Sequence, residues 1–117
     1  MISLKNLALA GAVCLAATQA SAQTAAAIND YPTMARADYV FACMQVNGRS
    51  RQILEKCSCS IDVIAELLPY EKYEDAETIM SIRQKGGEAV SPLMTPEYQE
   101  KIVEMKRAQV EGELRCF

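Results

Sequence analysis

The chain of 117 residues contains no histidine. That absence removes serine–histidine and cysteine–histidine nucleophile systems and the histidine general base. It also removes haem attachment through a Cys-x-x-Cys-His segment. Any metal would be left to carboxylates, thiolates or thioethers. No stretch alternates apolar and polar residues in the way a half-buried strand does. Adjacent glycines occur only at Gly86-Gly87, a helix stop unlike a phosphate-binding loop. Nothing here converges on a catalytic constellation, so the chain reads as a non-enzyme.

Long apolar runs are also scarce. The one run, Leu7 to Ala17, follows Lys5 and precedes Ala20-Ser21-Ala22. It is too short for a permanent bilayer span, and the small residues suit signal peptidase. Residues 1–22 therefore read as a secretory signal peptide cleaved before Gln23. Cys14 lies within it, but Gly11 and Val13 do not make a lipobox. The mature chain 23–117 carries eleven basic and fifteen acidic side chains, a net charge of −4. That balance disfavours nucleic acid and anionic membrane surfaces. The expectation is a periplasmic protein without a stable membrane anchor.

Four cysteines remain after cleavage: Cys43, Cys57, Cys59 and Cys116. An even number in a small exported chain reads as two disulfides that reinforce a thin core. Within a helix, Cys57 and Cys59 point about 200° apart, so each needs its own partner. Cys57 lies on the stripe Ile53, Cys57, Ile61, Ile64, Leu68, and Cys59 lies off it. The preferred pairing is Cys43–Cys57 with Cys59–Cys116. Cys43–Cys59 with Cys57–Cys116 remains the close alternative.

Four helices follow from apolar spacing and end signals. Residues 23–32 read as a flexible leader, and 33–117 as the helical domain. The first helix, 33–48, carries Met34, Ala37, Val40, Phe41 and Met44 and stops at Gly48. Ser50 caps the second, 51–68. The third, 71–87, sets Tyr73, Ala76, Ile79 and Met80 on one side. A loop then leads to Thr95-Pro96-Glu97, a strong helix start. The fourth, about 96–114, runs through Tyr98, Ile102, Val103, Met105, Val110 and Leu114. The fold class is all-α, a small disulfide-stapled bundle of about four helices.

Two polar features are candidate sites. Glu66, Glu71, Glu74, Asp75 and Glu77 crowd like charges into one segment, which a hard cation such as calcium or a lanthanide would relieve. Acids at the start of a helix also complement its dipole, with Arg83 and Lys85 at the other end. The spacing matches no EF-hand. Arg49 and Arg51 flank the turn between the first two helices, where they could grip a partner's acidic patch or simply be solvated. The methionines sit mostly on helical apolar stripes and read as core filler rather than copper ligands.

The stretches YVFACMQVNGRS, LEKCSCSIDVIAELLPYEKYEDAETIMSIRQ and ELRCF, spanning about 39–117, resemble a family of small exported four-cysteine proteins. That family is associated with periplasmic quinoprotein (PQQ) alcohol dehydrogenase systems of methylotrophic and related bacteria. The resemblance implies a periplasmic accessory protein or chaperone whose partner is a dehydrogenase component. Handling of the calcium or lanthanide such enzymes require is the alternative it implies.

Overall fold

A computed structural model describes residues 29–117. The expected signal peptide, and all but the last residues of the leader, lie outside that range. The described residues form helices and no strand. The helices are α1 (Thr33–Asn47), α2 (Arg51–Leu67), α3 (Tyr70–Lys85) and α4 (Pro96–Cys116). The segment expected as a loop after α3 is a short 3-10 helix, Glu88–Leu93. The domain is all-α and stapled by two disulfides.

Each boundary has a local cause. Gly48 takes φ 114°, which a side chain would resist, and its N–H bonds to the Met44 carbonyl at 3.0 Å to close α1. Ser50 then accepts the Ile53 N–H at 3.2 Å and opens α2. Thr95 does the same for α4, with Pro96 at the first helical position. Pro69 precedes α3 and offers it no side-chain cap. The cap comes from a distance: Asp30 Oδ2 accepts the Tyr70 N–H at 2.9 Å.

That contact places residues 30–32 with the domain rather than with a flexible leader. Tyr31 is buried, donates its hydroxyl to the Leu68 carbonyl at 2.8 Å, and packs edge-on to Tyr70. Burial pushes the Tyr31 and Tyr73 phenols up from their ordinary range. Both stay protonated and able to donate.

Core packing centres on α2. Cys57, Ile61, Ile64 and Leu68 are buried as their stripe predicts, joined by Tyr73, Ala76 and Ile79 from α3 and by Ile102, Met105 and Ala108 from α4. At one level α2 and α4 nearly touch. A Cβ on Gly112 would fall 2.6 Å from Ser60 Oγ and 3.0 Å from the Ser60 carbonyl oxygen. Ser60 is buried, and its hydroxyl shares a 3.0 Å hydrogen bond with the Tyr39 hydroxyl of α1.

The expected stripes of the outer helices hold only in part. Met34 and Phe41 on α1 are 79% and 65% exposed, and α1 buries no residue fully. Val110 and Leu114 on α4 are also exposed. They lie about half a turn away from Ile102, Met105 and Ala108, which face α2 and α3. Thus α4 carries an apolar face on each side, and only one of them is covered.

Both disulfides follow the preferred pairing. Cys43–Cys57 joins α1 to α2, and Cys59–Cys116 ties the end of α4 to α2. Such bonds belong to an oxidising, exported environment. Among the described residues, no helix is long and apolar enough to cross a membrane.

Candidate functional site

The structure disperses the five acidic residues proposed as cation ligands. Glu66 lies on α2 and pairs with Arg115 of α4 at 3.3 Å. Asp75 on α3 pairs with Lys101 of α4 at 2.6 Å, and that hydrogen bond pushes the lysine's proton affinity up. Glu71 lines the same exposed shelf as Asp75, beside Lys72 and Lys101. Glu74 faces Tyr70 and raises its phenol, after desolvation. Glu77 points to another side of the bundle altogether. Among the described residues, no three cysteine or acidic side chains come together as a metal site.

The two arginines are engaged locally. Arg49 donates to Gln45 Oε1 at 3.0 Å, and Arg51 pairs with Glu55 one turn along α2 at 3.1 Å. Both are exposed, Arg49 in the turn between α1 and α2 and Arg51 at the first position of α2.

A different site emerges where α1 stands off the bundle. Since α1 packs chiefly on α2, a groove of about 520 Å³ opens between it, the middle of α3 and the C-terminal part of α4. That size falls in the range of roughly 300–1,000 Å³ typical of ligand sites. Tyr39, Ala42 and Val46 of α1 form one wall, and Phe117 closes the other. Val46 is 86% exposed and Phe117 50% exposed. Ser60 lies beneath, held by Tyr39.

The groove is acidic as well as apolar. Glu77 and Glu113 line it, and no basic side chain does. Desolvation pushes the Glu77 carboxyl up, and the carboxylate of Asp38 on α1 pushes it further. Burial raises the Tyr39 phenol against the bond to Ser60, and Glu113 and Glu77 add to the rise. The three acids therefore act on one small region. None of them takes part in an ion pair among the described residues. Lys56 sits over the Phe117 ring at 5.3 Å and marks the rim.

Of the candidate cation ligands, arginines and cysteines named from the sequence, only Glu77 and Cys43 line this groove. Tyr39, Ser60, Glu113 and Phe117 escaped attention. Two signals were available: a serine on the core-facing stripe of α2, and a glycine inside α4. Both mark a close helix approach, and the groove opens beside it.

No family model, curated protein or solved structure matches the chain. The functional reading therefore rests on this geometry and on the resemblance in the sequence.

Proposed function

We propose that this protein is a non-catalytic accessory of the periplasm that binds another protein through the groove beside α1. The carrying observation is an apolar groove left open in a domain with little core to spare, with Val46 and Phe117 facing solvent. Exposed apolar surface of this kind, rimmed by polar groups, marks interaction sites. A wall made from one loosely seated helix also lets the groove adjust to a partner. The resemblance to quinoprotein-associated exported proteins supports a component of a quinoprotein dehydrogenase system as the partner. Cation carriage is the weaker reading, because Glu66 and Asp75 already have basic partners on α4.

The test is site-specific photocrosslinking in the periplasm of the native host. A photoreactive Val46→p-benzoylphenylalanine variant should give one discrete protein adduct. The same probe at exposed Gln84, at the far end of α3, should give none. Equal labelling at both positions, or none at position 46, would remove the groove as a docking site. Arg49→Glu/Arg51→Glu should leave the adduct in place, since those side chains are occupied by Gln45 and Glu55.

A further inference from the structure

We infer that the occupant of the groove is a basic amphipathic segment of a partner protein, with lysine or arginine beside large apolar side chains. This inference rests on the docking reading above and specifies the chemistry of the partner.

Charge complementarity carries the argument. Glu77 and Glu113 line the groove and Asp38 adjoins it, yet none has a basic partner within the domain. Elsewhere on the same helices some acids are paired. Asp75 has Lys101, Glu104 has Lys72, and Glu66 and Glu111 share Arg115. Glu71, Glu97 and Glu100 make no ion pair either, but they share their exposed shelf with Lys72 and Lys101, whereas no basic side chain lines the groove. Partial desolvation and the neighbouring Asp38 carboxylate both disfavour the charge on Glu77. A cation from outside would relieve it. The apolar wall of Tyr39, Ala42, Val46 and Phe117 supplies the second half of the recognition, because it takes a side chain that water does not favour.

The chain's own leader does not fit this description. Gln23 to Ile28 contains no basic residue to meet Glu77 and Glu113. A bare metal ion would leave the apolar wall unused.

The probe is a fluorescent helical peptide made only of leucine and lysine, titrated into the mature protein at low ionic strength. Binding should weaken with added salt. Glu77→Gln/Glu113→Gln should weaken it about tenfold. Glu71→Gln/Glu100→Gln removes the same formal charge from the exposed shelf of α3 and α4 and should change affinity less than about twofold. Equal weakening by the two double variants would show attraction by net charge alone and would overturn the inference, as would absence of binding. Sedimentation of the unliganded protein supplies the remaining arm. Lys106 and Arg107 lie beside Val103 and Val110 on the uncovered face of α4. Self-association abolished by Glu77→Gln/Glu113→Gln would make a second copy the occupant and overturn a foreign partner. A position-46 adduct with no peptide binding would retain the docking reading and reject this one. Loss of both would reject the two together.

Discussion

Glu77 shows how one side chain can oppose the fold that carries it. Its carboxyl is raised above the ordinary 4.5 by desolvation first and by Asp38 second. The folded state therefore holds this proton to higher pH than the unfolded state does. Where the folded state binds more protons, stability falls as pH rises. The loss begins near the unfolded value and is complete once pH passes the raised one. Glu77→Gln should accordingly raise the thermal midpoint at neutral pH. That advantage should shrink on acidification and vanish below about pH 4.5, where both side chains are neutral. Thermal melts of both proteins across pH 4 to 7 check it. A variant that stabilises the fold while weakening peptide binding would mark Glu77 as a residue placed for binding at a cost in stability. Gly112 has the opposite character. Alanine there would gain about 1 kcal/mol of helix propensity. Its Cβ would, however, crowd the Ser60 side chain and backbone. Overpacking costs about 1–3 kcal/mol, so Gly112→Ala should lower stability in denaturant melts by up to about 2 kcal/mol net. Adding Ser60→Ala should recover part of the loss, because the hydroxyl is the nearest obstacle.

At the scale of elements, local chemistry made the helices legible and left their arrangement open. Ser50, Gly48 and Thr95-Pro96 are short-range signals, and each lies at or within one residue of its observed boundary. The α2 stripe is legible because α2 is enclosed by the other helices, so that its period and its burial agree. For α1 and α4 they disagree. Apolar spacing says that a face exists, but not whether a neighbour covers it. Met34, Phe41, Val110 and Leu114 keep good spacing and remain exposed. The groove was invisible for the same reason, since it depends on where α1 stands relative to α3 and α4. The N-terminal clasp was hidden by sequence distance: Asp30 reaches Tyr70, and Tyr31 reaches Leu68. Those contacts give a direct expectation. Tyr31→Phe should cost about 1 kcal/mol through the lost bond to Leu68, and Tyr31→Ala about 3–5 kcal/mol through the emptied space. Asp30→Ala should cost about 1 kcal/mol as a lost helix cap. Urea midpoints measure all three, and no effect from any of them would return residues 30–32 to a loose leader.

For the whole molecule, the two disulfides restrain different things. In the chain-entropy model the Cys59–Cys116 bridge, with a separation of 57 residues, stabilises by about 4 kcal/mol. The Cys43–Cys57 bridge, with a separation of 14, contributes about 3 kcal/mol. Position in the fold separates them further. α1 has no fully buried residue and is held to α2 chiefly by Cys43–Cys57, the Tyr39–Ser60 bond and the partly buried Tyr39 and Val40. The Tyr31 cluster, Ile61, Ile64, Met105 and Ala108 pack together without needing α1 in full. Removing the first bridge should therefore loosen one helix, whereas removing the second should weaken the unit formed by α2, α3 and α4. Amide hydrogen exchange distinguishes the two outcomes. Cys43→Ser/Cys57→Ser should speed exchange across α1 and leave α2 and α4 protected. Cys59→Ser/Cys116→Ser should lower protection everywhere and shift the global midpoint more. A uniform response to both would mean that α1 belongs to a single cooperative unit, and that the wall of the groove is as firm as its floor. A selective response would make that wall a separable element, held in register by one covalent bond. The groove could then close on a partner without disturbing the core, and its grip would be lost when that bond is reduced.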